Sequence, residues 1–388
     1  MNSEISIHIN KIAALLNENN IDAILVGSNA NIYYTALCFF RGYTYITKEG
    51  LFRFFIIRNN PAFKNPNIVN IRKPEEITSK LEELGLSVPA VLGLEFDSLS
   101  FSDITRLEKA FPSSTFVNSS PVLRKARMTK TEWEINEMRY DGVHQTEAYR
   151  HFTKVYKEDM TDVEFQIELE RILRLEGCLG YSRVSGNLME INLGSVLNGD
   201  NADTPSPYEF AMGGSGVSSA VPGGANGTEM KPGTTVMVDM NGAFNGYQTD
   251  LTRVWKIGEI SQLAEKAHEC SRRILRTLEK EGIPGVPCSA LYEKAVEIAR
   301  EEGLEEYFMG HNQKVAFIGH GVGIELNEMP VLTPRSKDVL AENMTLAIEP
   351  KFVIPGVGAV GVENTYVVRD NGLENITVLN EEIINLIR

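Results

Sequence analysis

The chain has 388 residues, of which 43% are hydrophobic and 23% are charged. This length exceeds what a single hydrophobic core usually organises, so we expect two domains. The formal net charge of −14 argues against nucleic acid and against an anionic membrane surface as partners. No apolar run approaches the roughly 20 residues of a membrane span, and the first thirty residues do not read as a signal peptide.

The four cysteines are spread singly along the chain and form no Cys-x-x-Cys pair. This spacing predicts neither a zinc knuckle nor a disulfide scaffold. We therefore expect a reducing, cytoplasmic setting.

The first third of the chain alternates between predicted helices and predicted strands. Apolar spacing predicts helices over residues 5–20, 74–84 and 100–110, and strands over residues 22–27, 51–58, 90–95 and 115–117. Such alternation indicates an α/β domain, and we place its end near residue 122. The predicted domains are therefore residues 1–122 and 123–388.

A basic connector follows and leads into a predominantly helical stretch. Thr131 with Glu134, and Thr161 with Glu164, have the spacing of capping boxes and predict two helix starts. Further helices are predicted over residues 261–282 and 288–303. The segment 199–227 is dense in Gly, Pro, Ser and Asn, which predicts a long ordered loop of the kind that often borders a binding site.

Residues 236–255 predict a β-hairpin that aims two carboxylates at one point. Two apolar runs flank Asn245-Gly246, the dipeptide that favours a two-residue type I′ turn. Counting outward from this turn places Asp239 opposite Thr252. Asp250 is then a diagonal neighbour of Asp239 on the same face of the hairpin, within about 8 Å. Two like charges among apolar residues are costly unless one is protonated or a cation lies between them.

Three further stretches place ionisable groups among apolar residues. His320 lies between glycines, Glu349 is predicted at the end of an apolar strand, and Glu363 is predicted in the middle of a strand. With Asp239 and Asp250 they form a hard, oxygen-rich set of ligands. Such a set suits a pair of divalent ions, with Mn²⁺ preferred over Co²⁺, Zn²⁺ or Fe²⁺.

The order and spacing of these residues resemble the creatinase/aminopeptidase P/prolidase/methionine aminopeptidase family, the metallopeptidases with the pita-bread fold. The motifs that carry the resemblance are Val238-Asp239, Asp250-Leu-Thr252, Gly319-His320-Gly-Val-Gly323, Ile348-Glu349-Pro350 and Val362-Glu363-Asn364. The resemblance implies an α+β fold, with a C-terminal pita-bread catalytic domain preceded by a smaller α/β domain of the creatinase and prolidase type.

The resemblance also implies roles for the five residues. Asp250 and Glu363 would bridge two ions, Asp239 would complete one site, and His320 with Glu349 would complete the other. Peptide hydrolysis would then proceed through a hydroxide held between the ions, with Glu349 moving the proton.

The sequence departs from the family pattern on the substrate side. The prolidase-like branch carries two further histidines, and the corresponding positions here are Pro222 and Asn327. The arginine that usually lies two residues before the last glutamate is Gly361. Asn327 can donate a hydrogen bond to substrate, and we name it with Glu349 as a catalytic candidate. Other candidate substitutes for the missing histidines are Tyr208, His311 and Asn312.

The preferred function is a two-metal peptidase of the Xaa-Pro dipeptidase or aminopeptidase type that acts on short peptides. The losses on the substrate side predict weak activity, because each missing oxyanion donor costs about 2.7–4 kcal/mol of barrier. Two alternatives stay open: hydrolysis of another C–N bond at the same dinuclear site, and a metal-containing binding protein with impaired catalysis. The resemblance further implies a homodimer.

Overall fold

A computed structural model describes residues 2–186 and 189–387. The chain divides into two compact units, the first ending at Arg127 and the second beginning at Met128. The predicted boundary after residue 122 falls within a helix that spans Ser120–Met128. Among the described residues, no helix combines the length and the apolar character needed to span a bilayer.

The first unit contains a six-stranded mixed sheet, with the strands in the order β4-β3-β2-β1-β5-β6. The strands are β1 (Ala23–Val26), β2 (Arg41–Thr47), β3 (Phe52–Arg58), β4 (Ile68–Asn70), β5 (Val91–Leu94) and β6 (Thr115–Asn118). All four residues of β1 are buried, as its uninterrupted apolar run requires. Strand β1 pairs in parallel with β5 and antiparallel with β2.

The helices of the first unit are α1 (Asn2–Glu18), α2 (Asn29–Ala36), α3 (Ile77–Glu83), α4 (Phe101–Ala110) and α5 (Ser120–Met128). Helices α1, α3 and α4 agree with the predicted ones, and the Ser100 side chain caps α4 by accepting a hydrogen bond from Asp103 N. The sequence prediction missed α2 and β2. Helix α2 has no capping side-chain hydrogen bond and buries six of its eight residues, so its short sequence lacks an amphipathic pattern.

The second unit contains a four-stranded sheet, a five-stranded sheet and a two-stranded hairpin. The four-stranded sheet has the order β17-β9-β8-β7, with β7 (Gly194–Asn198), β8 (Thr235–Met240), β9 (Thr252–Lys256) and β17 (Ile384–Asn385). The five-stranded sheet has the order β11-β10-β12-β15-β16, with β10 (Gly319–Gly321), β11 (Glu328–Val331), β12 (Thr345–Ile348), β15 (Asn364–Arg369) and β16 (Gly372–Asn375). The hairpin consists of β13 (Lys351–Ile354) and β14 (Gly358–Gly361).

In the part of the second unit that the structure describes, four α-helices accompany these sheets: α6 (Glu132–Tyr149), α7 (Asp162–Glu176), α8 (Gln262–Glu281) and α9 (Cys288–Glu301). Both predicted capping boxes are present, at Thr131 and at Thr161. Helices α6 and α7 pack on one face of β8 through Val236, Val238 and Met240. Because side chains alternate along a strand, Met237 and Asp239 point to the opposite face of β8.

Candidate metal centre

The hairpin β8–β9 brings Asp239 and Asp250 to the same cavity. Asp239 pairs with Thr252 and Gly242 pairs with Thr249, which is the register predicted from the sequence. The tip differs from the predicted type I′ turn, because Asn245 does not take the positive φ that this turn requires. Instead, Tyr247 N donates to Asn245 Oδ1 over 2.7 Å, so a side chain closes the tip.

Helix α6 holds this hairpin through a stripe of polar residues spaced four apart. Asp141 Oδ2 lies 2.9 Å from Thr249 Oγ1, and Gln145 Nε2 donates to Met240 O over 2.7 Å. Tyr149 Oη donates to Leu251 O over 2.6 Å. The polar stripe faces inward and satisfies backbone groups where the two strands diverge. It therefore fixes the backbone beside both aspartates.

His320 is presented by β10, between two glycines that the sheet requires. A Cβ on Gly319 would lie 2.3 Å from Ala347 O, and one on Gly321 would lie 2.2 Å from Met329 O. His320 Nδ1 lies 3.0 Å from Gly321 O. Because a carbonyl oxygen only accepts, Nδ1 carries the proton, and the lone pair of Nε2 is free for a metal ion.

Glu349 and Glu363 are positioned by contacts to their neighbouring backbone. Ser271 Oγ on α8 donates to Pro350 O over 2.5 Å and accepts from Val362 N over 3.0 Å. Arg253 Nη1 donates to Glu363 O over 2.8 Å. Glu363 lies between β14 and β15, which corrects the prediction that it lies in the middle of a strand. Its side chain accepts a 2.6 Å hydrogen bond from Thr252 Oγ1.

The five predicted ligands come together and form two groups of oxygen and nitrogen atoms. The ligand atoms within each group lie within 4.8 Å of one another. One group contains Asp250, His320 and Glu363, and the other contains Asp239, Glu349 and Glu363. The family resemblance implied that Glu349 completes the site of His320; Glu349 belongs to the group of Asp239 and also lies beside His320. His320 Nε2 is 3.6 Å from Glu349 Oε1 and 3.9 Å from Asp250 Oδ2.

A lysine that the sequence analysis did not single out lies among these carboxylates. Lys351 Nζ donates to Glu349 Oε2 over 2.6 Å, to Asp239 Oδ2 over 2.7 Å and to Glu363 Oε2 over 3.3 Å. Its side chain is completely buried. Strand alternation contained a signal for this contact, because residues 349 and 351 are two apart in a buried run and so share a face.

Gly361 lies directly opposite Lys351 in the hairpin β13–β14. It has φ of +142°, and a Cβ at this position would lie 2.9 Å from Lys351 Cα and 3.3 Å from Lys351 Cγ. The absence of a side chain at position 361 therefore leaves room for the stem of Lys351. The positive charge missing at position 361, where the resemblance implies an arginine, is present on the facing strand.

Burial and mutual repulsion dominate the electrostatics of the cluster. Burial, reinforced by the charges of Asp239 and Glu349, raises the pKa of Asp250 well above its usual range. Burial and the charge of Asp250 likewise raise the pKa of Glu363. Burial lowers the pKa of Lys351, but the surrounding carboxylates more than offset it and hold that pKa well above the ordinary lysine range. The carboxylate cluster therefore favours the binding of cations.

The group of Asp250, His320 and Glu363 fits a divalent ion. Glu363 Oε1 is buried, and no hydrogen-bond partner reaches it from the residues that the structure describes, although buried carboxylate oxygens are normally satisfied. The lone pair of His320 Nε2 and the carboxylate of Asp250 complete a donor set of the kind that Mn²⁺, Fe²⁺ or Zn²⁺ accepts.

The cluster opens into a cavity of about 920 Å³. Asp239, Asp250, His320 and Glu349 line it. Apolar residues from the glycine-rich loop and from neighbouring segments supply much of the remaining wall, among them Phe210, Met212, Val217, Val221 and Phe317. Glu170, Glu190 and Glu209 also line the cavity, and its described lining includes no lysine or arginine. The predicted loop thus borders the candidate site.

The candidate substrate residues differ in whether they line the cavity. Asn327 lines the cavity, and its Oδ1 accepts a 2.6 Å hydrogen bond from Ser185 N. Tyr208 and His311 are not among the described lining residues. His311 Nδ1 is instead held 2.9 Å from Asp203 Oδ2, an aspartate that also binds Asn312. Tyr208 lies within the predicted loop and His311 lies far from it in sequence, so the sequence did not show which way these side chains point.

Comparisons with known proteins agree with this architecture. Residues 136–370 match metallopeptidase family M24, and residues 8–129 match the creatinase/prolidase N-terminal domain. The chain belongs to metallopeptidase family M24. Its mixed α/β structure, with a creatinase-type N-terminal domain and an M24 catalytic domain, confirms the predicted fold class.

Individual relatives are similar over nearly the whole chain. A Xaa-Pro dipeptidase from Pyrococcus horikoshii is 26% identical over 97% of this chain and 98% of its own length. A Xaa-Pro dipeptidase from Pyrococcus furiosus is 24% identical over 97% of this chain and 99% of its own length. The solved Xaa-Pro dipeptidase from Bacillus anthracis superposes with a TM-score of 0.80 at 24% identity and covers 97% of this chain and 99% of its own.

Proposed function

We propose that this protein is a metal-dependent peptidase that cleaves short peptides, with specificity of the Xaa-Pro type. The observation that carries the proposal is the convergence of Asp250, His320 and Glu363 beside a large cavity that Asp250 and His320 line. Among the described residues, no hydrogen-bond partner reaches the buried Glu363 Oε1. Membership of family M24 and the Xaa-Pro dipeptidases among its relatives support the same reaction. A divalent ion held by these residues would polarise the scissile carbonyl and acidify a water molecule.

Within this proposal, Glu349 exchanges the proton and Asn327 assists the carbonyl oxygen. Glu349 Oε2 is engaged by Lys351, which leaves Oε1, on the side of His320, for proton exchange. Asn327 Oδ1 is engaged by Ser185 N, while Asn327 Nδ2 makes only a long 3.5 Å contact to Ser185 O. That amide group is therefore the available donor to a developing oxyanion.

The cavity favours an aminopeptidase mode over a dipeptidase mode. A dipeptide places its carboxylate close to the scissile bond, where a cationic side chain is the natural partner. Away from the metal cluster, the described lining offers Glu170, Glu190 and Glu209 and no lysine or arginine. Such a lining attracts the ammonium group of a peptide N-terminus and repels a carboxylate. Peptides longer than two residues are the expected substrates.

Mn²⁺ is the proposed ion, because the ligand set is rich in carboxylate oxygens and contains one imidazole. A cytoplasmic location is proposed from the four free cysteines. A homodimer is proposed from the family resemblance alone. Light scattering coupled to size-exclusion chromatography tests the homodimer.

Product detection by mass spectrometry tests the function. Protein supplied with Mn²⁺ is incubated with Xaa-Pro dipeptides, Xaa-Pro-Yaa tripeptides and matched peptides without proline. We expect cleavage of the tripeptides, and a loss of at least on the order of 100-fold in Asp250→Asn, since even outer-shell partners of a metal cost 10–100-fold. Asp370→Asn removes the same charge from the exposed turn after β15 and serves as the control.

Hydrolysis of another C–N bond is the second candidate. It is favoured by the two positions, Pro222 and Asn327, where the resemblance implies histidines. If no peptide in the panel is cleaved although the protein binds Mn²⁺, the peptidase proposal fails. Amidase and ureidase substrates are then the next panel.

A further inference from the structure

The carboxylate cluster has two places for a cation, and Lys351 already lies in one of them. The three carboxylates that receive its ammonium group are Asp239, Glu349 and Glu363. These are the same three residues that form one of the two groups of ligand atoms. The Nζ distances of 2.6–3.3 Å leave no space for an ion, which would bind those oxygens at about 2–2.6 Å.

We propose that the Lys351 ammonium permanently replaces one of the two cations of this site, so that the chain binds one divalent ion rather than two. The single ion binds between Asp250, His320 and Glu363. This inference rests on the proposed metal-dependent function and specifies how many ions that function uses.

The surroundings of Lys351 hold its side chain in place. The side chain is completely buried, and its residue begins β13, whose other residues Phe352, Val353 and Ile354 belong to the core. Its backbone N lies 3.4 Å from Met309 Sδ. Gly361, on the facing strand, leaves the space that the aliphatic stem occupies. Displacement of the ammonium group by an ion would bury an unpaired charge within this packing.

The remaining group is available to an ion. None of the hydrogen bonds from Lys351 reaches Asp250, whose carboxylate accepts only a 3.1 Å bond from the neighbouring Leu251 N in the described structure. Glu363 divides its two oxygens between the groups, because Oε2 faces Lys351 and Oε1 has no partner. One ammonium group and one divalent ion together neutralise most of the charge of the four carboxylates. A second divalent ion is therefore not needed to balance the charge of the cluster.

Metal stoichiometry tests the inference without any assay of activity. The purified full-length protein is equilibrated with MnCl₂, and bound Mn²⁺ per chain is measured by titration calorimetry and mass spectrometry of the metal. Electron paramagnetic resonance of the same samples distinguishes isolated Mn²⁺ from an exchange-coupled pair. We expect one isolated Mn²⁺ per chain in the wild type, and two coupled Mn²⁺ in Lys351→Gly.

Further variants protect the test from a folding failure. Lys351→Met keeps most of the stem but ends short of the ammonium position, and it should also gain the second ion. Lys130→Met is the matched control, because Lys130 is a buried lysine that pairs with Glu328 outside the cluster. It should keep one ion. Asp239→Asn should also keep one ion, because Asp239 serves Lys351 and not the metal.

Each outcome has one meaning. Two Mn²⁺ per wild-type chain overturn the inference and leave the proposed function standing. A single Mn²⁺ in folded Lys351→Gly and Lys351→Met also overturns it, because lysine would then not be what excludes the second ion. Loss of Mn²⁺ in Asp239→Asn contradicts the assignment of the ion to the His320 group. No Mn²⁺ in the wild type overturns the inference and the proposed metal dependence together.

Discussion

Lys351 Nζ lies 2.6 Å from Glu349 Oε2, and only Pro350 separates the two residues along the chain. Glu349 therefore carries its own counter-ion on the same segment of backbone. Any movement of this segment moves the carboxylate and the ammonium group together. The same ammonium group also contacts Asp239 on β8 and Glu363 after β14, so one side chain joins three separate segments of the second unit.

Removal of this ammonium group should destabilise the protein unless a cation replaces it. In a metal-free buffer, Lys351→Met should lower the free energy of unfolding by about 3–5 kcal/mol, the usual cost of leaving a buried ionic partner unpaired. Added Mn²⁺ should restore much of the loss, because binding to the folded state stabilises it. Urea unfolding with and without Mn²⁺ measures both effects. A Lys130→Met variant that responds equally to Mn²⁺ would contradict this explanation.

Asp141 should make the protein less stable as the pH rises. Burial raises the pKa of Asp141 to about 7, above its model-peptide value of 3.8. Between pH 4 and pH 7 the folded state therefore holds a proton that the unfolded state has lost, so the free energy of unfolding falls as pH increases. Between pH 4 and pH 8 this titration lowers the free energy of unfolding by about 4 kcal/mol.

The Asp141→Asn variant checks this dependence. Its amide can still accept from Phe244 N and pair with Thr249 Oγ1, the two contacts that the Asp141 carboxyl group makes in the native protein. We expect the variant to be more stable than the wild type at pH 8 and equally stable at pH 4. Urea unfolding at both pH values gives the comparison. Parallel pH curves for the two proteins would show that Asp141 does not titrate in this range.

His268 should have the opposite effect. Burial lowers the pKa of His268 from 6.5 to about 4. Between pH 6.5 and pH 4 the unfolded state binds a proton that the folded state excludes, so the free energy of unfolding falls as pH decreases. His268 Nε2 lies 2.7 Å from Glu381 O, and Gln can donate to the same carbonyl. Between pH 7 and pH 4, the free energy of unfolding of His268→Gln should therefore fall by about 3 kcal/mol less than that of the wild type.

Calorimetric or urea unfolding across this pH range checks the His268 prediction. Because Asp141 and His268 act in opposite directions, the stability of Asp141→Asn relative to the wild type should rise with pH, and that of His268→Gln relative to the wild type should fall with pH. Differences of the same sign in the two variants would contradict one of the two assignments.

Gly321 should tolerate no side chain. A Cβ at this position would lie 2.2 Å from Met329 O and 2.6 Å from Met329 C, both backbone atoms of the neighbouring strand. Gly321→Ala should therefore separate β10 from β11, displace His320 and lower both the melting temperature and the affinity for Mn²⁺. The matched change is Gly323→Ala, where the nearest atoms, Lys130 Cε at 2.9 Å and Glu328 Oε2 at 3.0 Å, belong to side chains that can shift. Equal losses in the two variants would contradict the backbone clash.

Local patterns predicted the parts of the fold that depend on short-range chemistry. The capping boxes at Thr131 and Thr161 are present because their hydrogen bonds involve only four residues. The pairing of Asp239 with Thr252 follows from side-chain alternation on either side of a short connection. The tip itself differed, because Asn245 Nδ2 donates to Glu137 O, a contact with α6 that the hairpin sequence cannot show.

The candidate site was predicted in composition but not in arrangement. The five candidate ligand residues come from four separate segments, and their order along the chain was enough to bring them into one hypothesis. The sequence analysis did not identify Lys351, because metal ligands were sought among acidic residues and histidine, and lysine is not such a ligand. Tyr208 lies in the long loop, and His311 contacts Asp203 of the same loop. Local patterns do not determine how such a loop folds against the domain.

The facing positions 351 and 361 are linked in a way that constrains how such a chain could change. A long side chain at position 351 and any side chain at position 361 would compete for the same volume, because a Cβ on Gly361 already approaches Lys351 Cγ to 3.3 Å. In a stepwise history, loss of the lysine would have to come before the gain of a residue at 361. An intermediate that has lost Lys351 and gained no residue at 361 would leave Asp239, Glu349 and Glu363 without the ammonium group, and its stability would then depend on a bound metal ion.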